Sequence, residues 1–554
     1  MARRSVVWIS IPLLLLLVWT VIYPNIAVVA GSFGHGLEYW HAFASSPSDR
    51  EALWTSLWIS VASVVASVAI GLPLAFLLTR MEFRGRRVLQ AAATMPAALP
   101  PLVGVIAFLF LYGESGVITR VVQILLRRDT PPWTLSGAWA IVFVHAYTMY
   151  VYVYLFVSAG LERYDSALDE AASGLGAGTF RRLYRVTLPM LTPALAGACL
   201  LVFMSSLGSF SAPYVFGGGL RVLATQIVTS RLNGAMGVAY VETTVLAVSA
   251  VAALALLRWF EGRRRYVATG KGRALRVPLR SPLARAVTLP TALIAVVVLV
   301  LPHLMIVLVS FARDGAWTTQ VLPPEYTWDN FRRLVTDTSL LPPIRNSIIM
   351  TVLATVADVV VCSVAAYLLV FRRFYGRRLL GVLVALPWAI PPTAIAIGLA
   401  STFNRTDISA ARVLLVGTFW ILPLAYFIRG VPLVASAIEG SLRQLDPSLE
   451  EAALGLGAGW WQTLRHVIYP AARPGLVAGA TLAAITAVGE FVASEVLYTH
   501  ANRPISVEIL AQVRAFAFGT AAAYSVVLIG IVLLITVLAR AAEDGRRGVM
   551  ALRS

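Results

Sequence analysis

Along a chain of 554 residues dominated by apolar runs, a few polar side chains stand where chemistry could be done. Asp358, Arg429, Glu490 and Glu495 fall inside runs long enough to cross a membrane. Ionisable groups at that depth are costly, which makes them functional candidates by default. Tyr498 follows the two glutamates, and Ser209 and Tyr214 occupy the corresponding stretch earlier in the chain. Carboxylate, phenol and hydroxyl oxygens suit a hard metal ion. Yet Glu490 and Glu495, five positions apart, point more than about 100° apart on a helix and form no single ligand pair. A conducting path also needs weak sites, not a trap. These residues are therefore read as lining a solute path, with no metal site assigned; structural pairing of Glu490 or Asp358 with Arg429 is the competing use. His145 and His303 stand alone and read as non-ligands, and Tyr147, Tyr150, Tyr152 and Tyr154 read as packing aromatics. Cys199 and Cys362 lie in apolar stretches without zinc spacing or a disulfide framework. The single lysine, Lys271, follows Gly270, but Arg265 stands where a phosphate-binding loop needs its first glycine. This chain is not expected to hydrolyse ATP.

The elements that must position these groups are membrane helices. Hydrophobic residues make up 58% of the chain and charged ones 13%, with a mean hydropathy of +0.79. A soluble domain carries about a quarter charged residues. With about 20 apolar residues per crossing, spans are expected near 7–30, 53–79, 88–112, 138–160, 192–215 and 238–259. A second set is expected near 287–311, 345–371, 379–401, 411–436, 475–498 and 519–540. The apolar run after Arg3 and Arg4 is too long for a secretory signal and lacks a cleavage site, so it is kept as the first span. The net charge of +18 is concentrated in connecting segments: Arg84, Arg86 and Arg87; Arg181, Arg182 and Arg185; Arg263, Arg264 and Arg265; Arg372, Arg373, Arg377 and Arg378. By the positive-inside rule these segments and both termini face the cytoplasm. The basic excess thus reads as topology plus contact with anionic lipid, with no nucleic acid involved.

A segment of about twenty residues occurs twice. Glu170-Ala171-Ala172, Gly176 and Leu188-Pro189 align at one offset with Glu451-Ala452-Ala453, Gly457 and Tyr469-Pro470. In the second copy Asp446 is a suitable N-cap, Pro447 suits the first helical position, and the glycines at 455, 457 and 459 end a short helix. A second short helix, Trp460 to Ile468, is expected to stop at Pro470; the first copy repeats the pattern from Asp165 to Pro189. Met95-Pro96 with Pro100-Pro101 likewise matches Leu386-Pro387 with Pro391-Pro392. Prolines inside matched spans remove helix hydrogen bonds and predict a bend lining a pathway. The division is 1–260 and 287–554 as two halves, with a basic linker at 261–286. The chain is thus read as an all-α polytopic membrane protein of about twelve transmembrane helices, two parallel six-helix repeats related by an axis along the membrane normal.

The repeated segments resemble the cytoplasmic Glu-Ala-Ala loop of permeases of type I ABC importers, with Tyr469 in place of leucine as a mild departure. The resemblance extends over nearly the whole chain. It implies coupling loops at about 161–191 and 442–472, in which Glu170, Ala171, Ala172, Gly176 and Pro189, and Glu451, Ala452, Ala453, Gly457 and Pro470, dock into a cytoplasmic ATPase. It further implies two ATPase copies, ATP and magnesium held by that partner and not by this chain, an extracytoplasmic solute-binding protein, and a place in the bacterial inner membrane. The stretches Ser209-Phe-Ser-Ala-Pro-Tyr and Gly489-Glu-Phe-Val-Ala-Ser-Glu are similar to those of fused ferric-iron permeases. Permeases for thiamine, polyamines, phosphonates and sugar phosphates share much of the pattern. A secondary transporter of the major-facilitator kind also has six plus six spans and a basic Gly-Arg-Arg loop, but has no use for two Glu-Ala-Ala loops.

Overall fold

The computed structural model describes residues 3–263, 277–278, 282–317, 320–404, 413–446 and 448–551. Most of the expected linker at 261–286, and Pro447, lie outside them. Among the described residues eleven helices are long and apolar enough to cross a membrane, and one bent pair forms a twelfth crossing. Helices are forced here because lipid offers no partner for a free N–H or carbonyl. The second span, Pro47–Arg80, starts where the Ser46 side chain accepts from the Asp49 N–H. Its Ser56, Ser60, Ser63 and Ser67 are buried along one face. Such small residues let backbones approach closely. A Cβ on Gly71 would lie 2.6 Å from the Tyr150 carbonyl oxygen of the fourth span, Gly137–Glu162.

The second half repeats the first element by element. Leu188–Leu207 corresponds to Tyr469–Val488, Ser211–Phe216 to Val492–Leu497, Leu223–Leu232 to Ile505–Arg514, and Met236–Arg263 to Phe518–Ala551. The third and ninth spans are broken, not merely kinked. Arg377–Ala389 and Pro392–Thr402 meet at 111°, and Arg86–Thr94 gives way through a 3₁₀ turn to Pro101–Tyr112. Pro100 and Pro391 are extended, and the proline after each starts the next helix at N1, where no N–H is needed.

Two expectations need correction. Pro189 and Pro470 do not stop their helices. The turns before them, Leu183–Thr187 and Leu464–Ile468, widen to π geometry, and the chain runs straight into the fifth and eleventh spans. A proline clashes with the carbonyl four residues back and cannot donate to it, and a wider turn removes both problems. These spans also end earlier than expected, at Leu207 and Val488, because Gly208 and Gly489 break them.

The halves interlock through their opening helices. Tyr23–Ser32, the end of the first span, packs on Pro392–Thr402 of the other half, where a Cβ on Gly398 would lie 3.2 Å from the Pro24 oxygen. Reciprocally, Pro282–Ser310 packs on Pro101–Tyr112, and the Tyr147 hydroxyl donates to the Leu299 carbonyl at 2.6 Å. Met81–Glu82 also pairs in parallel with Val277–Pro278.

Candidate functional site

Each repeated loop opens with an aspartate that folds the chain back on itself. The Ala167 N–H donates to Asp165 at 3.0 Å and the Ser448 N–H to Asp446 at 2.9 Å. The backbone and side chain of Ser448 hold the Asp446 carboxyl below the usual carboxylate range. Short helices follow at Ala167–Gly174 and Ser448–Gly455. Gly176 (φ +79°) and Gly457 (φ +83°) then turn the chain through the left-handed region, which a side chain would penalise.

The residue before the glutamate of each Glu-Ala-Ala segment anchors its helix, a role the sequence reading missed. Asp169 pairs with Arg80 at 2.9 Å and accepts from the Tyr164 hydroxyl at 3.0 Å. Glu450 pairs with Arg372, the last turn of the eighth span adds Tyr367, and the Trp460 indole donates to Tyr367 at 3.2 Å. The available signal was an acid at the same repeat position with an arginine ending the preceding span pair. Glu170 and Glu451, by contrast, are exposed and have no ion pair among the described residues. Leu175 and Leu456 beside them stand 89% and 90% exposed, and Phe180 and Trp461, again equivalents, are exposed too. A cleft of about 970 Å³ between Arg377–Ala389 and the tenth span, Ile421–Leu442, is lined by Arg373, Arg378 and Arg443 with Trp388.

At the far ends of the fifth and eleventh spans the two halves meet symmetrically. A Cβ on Gly208 would lie 3.3 Å from Pro392, and one on Gly489 3.0 Å from Pro100, so each helix end rests on the proline break of the other half. Between them the equivalent rings of Phe210 and Phe491 approach to 5.9 Å, both buried. Glu490 is ion-paired with Arg429, and its side chain accepts from the Ala493 N–H at 3.0 Å, starting the short helix that follows. Asp358 does not join this pair. It is buried against Gly430, and its Oδ1 has no hydrogen-bond partner among the described residues. In the first half Ser209 bonds the His145 Nε2 at 2.9 Å, and the other ring nitrogen meets Ser63 at 3.0 Å and Ser206 at 3.1 Å. His145 is thus a hub, not the isolated residue its sequence context implied, because its partners come from spans distant in sequence. The position equivalent to His145 is Tyr426, which bonds Ser494 at 2.7 Å. Tyr214 and Glu495, also equivalents, are both reached by Arg514. Tyr498 caps the same short helix through its N–H. Tyr147 and Tyr150 donate to backbone carbonyls, as packing aromatics do. Among the described residues no group of three or more His, Cys, Asp or Glu could hold a metal ion.

Comparison with known proteins places this arrangement. A probable ABC transporter permease protein of Sinorhizobium fredii, y4fN, is 28% identical over 471 residues, covering 84% of this chain and 82% of its own length. The ferric transport system permease protein FbpB of Actinobacillus pleuropneumoniae is 25% identical over 555 residues, covering 96% of this chain and 77% of its own. Among solved structures, a bacterial ABC transporter involved in the import of the acidic polysaccharide alginate aligns with 48% of this chain and 99% of its own. Its identity is 21% and its TM-score 0.38. The family model described as binding-protein-dependent transport system inner membrane component matches twice, over residues 67–266 and 358–548. Since those two matches take in more than half of the sequence, the chain belongs to that family, as two permease units fused in one polypeptide.

Proposed function

We propose that this chain is the translocation subunit of an ABC importer for ferric iron, moving substrate into the cytoplasm by alternating access that a separate pair of ATPases drives. The observation that carries this reading is the equivalence of the two loops. Each presents a glutamate with no ion pair among the described residues, two alanines and, just past the helix, a leucine about nine-tenths exposed, with the helix fastened by an ion pair. Two matching surfaces suit two copies of one partner. Aligned ferric transport permeases, each spanning most of this chain, support the choice of substrate. The positive-inside rule puts the loops and both termini in the cytoplasm and the binding protein on the opposite face.

The geometry suggests how a pull on the loops travels. Asp169–Arg80 and Glu450–Arg372 tie each loop helix to the end of the second or eighth span. The widened turns continue each loop into the fifth or eleventh span without a hinge. Drawing the loops together as ATP closes the partner dimer therefore moves Gly208 and Gly489, and with them Phe210 and Phe491. ATP and magnesium stay on the partner throughout.

The test is a pull-down of this chain from native membranes in mild detergent, with partners quantified by mass spectrometry. Two copies of one ATPase per chain and an iron-carrying binding protein are the expected result. Absence of any ATPase, under conditions that keep a known importer intact, overturns the reading in favour of a gradient-driven transporter.

A further inference from the structure

Two equivalent positions in a pair of related halves can touch each other only on the axis that relates them. Phe210 and Phe491 do so. One turn further along the chain Tyr214 and Glu495 occupy equivalent places, and a single guanidinium reaches both. Arg514 bonds the Tyr214 hydroxyl, lies over its ring at 4.8 Å and stands 3.2 Å from Glu495 Oε1. The residue matching Arg514 in the first half is Leu232, so this pair of matched positions supplies one cation, not two. The Oε2 of Glu495 is buried and has no hydrogen-bond partner among the described residues, which leaves an acceptor unused beside a phenol. Tyr214 and Arg514 are themselves exposed, whereas Phe210 and Phe491 are buried.

We infer that Tyr214 and Glu495 form an entry site on the axis for a hard multivalent cation, with Arg514 as the resident cation that the substrate displaces. The inference deepens the ferric-iron reading and rests on it for the identity of the ion. Carboxylate and phenol oxygens are the ligands such an ion prefers. Two of them, with water completing the shell, bind weakly enough for onward passage. Displacing Arg514 exchanges one tie between the halves, from Arg514 to Tyr214, for another through the ion. A guanidinium needs no deprotonation to leave; it exchanges its two partners for water.

The test is a titration of the intact chain, purified with its ATPase, with terbium(III), whose luminescence is sensitised by nearby tyrosine. Glu495→Gln and Tyr214→Phe are expected to weaken binding by about tenfold or more, and Arg514→Ala to strengthen it by about severalfold, since a competing cation is gone. A purely structural strap gives the opposite sign for arginine. Loss of binding in Arg514→Ala, or no change in any variant, overturns the site; retained ATPase association shows that each variant is folded. The ferric reading fails separately. An iron-free binding protein with the terbium pattern intact removes iron and keeps the site, whereas an iron-loaded one with no terbium response removes the site and keeps iron.

Discussion

The two loops are near copies in sequence and in space, while the equivalent positions around the axis have diverged. On the loop face Asp169 and Glu450 are both anchored, Glu170 and Glu451 both exposed, and Leu175 and Leu456 exposed to within one part in a hundred of each other. Around the axis His145 with three serines faces Tyr426 with one, Ser209 stands opposite Glu490, and Tyr214 opposite Glu495. A surface that meets two identical partners is held to symmetry by both of them. A path crossed by one solute at a time sees both halves together, so each half is free to supply a different part. Symmetry of sequence between the halves thus maps what is shared from what is singular.

This contrast can be broken by experiment, most forcefully at the loops. Reversing charge in Glu170→Arg with Glu451→Arg is expected to cut uptake roughly a hundredfold, since like charge at a docking surface costs several kcal/mol. Either single variant is expected to fall between, by similar amounts. Uptake in proteoliposomes with insertion checked by detergent chromatography decides it, and normal uptake by a well-inserted double variant removes the docking role. At the axis the expectation is inequality. Arg429→Ala strands Glu490 in the membrane at a cost of about 3–5 kcal/mol, whereas His145→Ala strands hydroxyls at about 1–3 kcal/mol. Comparable drops in detergent melting temperature count against divergence of the two halves.

Smaller effects sharpen the same point. Gly176→Ala and Gly457→Ala each force a side chain into the left-handed region at about 1–2 kcal/mol. ATPase affinity is expected to fall equally for the two, and a clear inequality shows that one loop dominates. Smallest is Asp169→Asn, in a part-exposed ion pair worth about 1 kcal/mol or less, while Glu450→Gln loosens a buried carboxylate at about 1–3 kcal/mol. Their expected signature is ATP hydrolysis retained with fewer solutes moved per ATP, because docking persists while its transmission slackens.

Much of this architecture was legible from residue types. Span count follows from apolar run length, and the loops follow from exact recurrence of Glu-Ala-Ala and glycine at one offset. What escaped was set by contacts distant in sequence. Nothing near His145 announces that Ser63, Ser206 and Ser209 converge on it. The match of Arg80 to Asp169 is visible only once the second span ends beside the loop. Pro470 read as a stop because proline forbids the ordinary α-helical bond, but a π turn needs no such bond. Residue types alone offer Glu490 or Asp358 as the partner of Arg429; Glu490 takes it from a helix end, while Asp358 lies against Gly430.

The exchange of opening helices has a consequence for how such a chain is made. The first span leaves the ribosome long before Pro392–Thr402, the surface it is to cover, exists. Until then the Tyr23–Ser32 face must be sheltered by lipid or by the insertion machinery, and the first half waits with its opening helix unmatched. Contacts that span so much sequence close late and slowly. Biogenesis, and not catalytic need, is thus one pressure for keeping both halves on a single message: the late partner of the first helix is always the one already tethered to it.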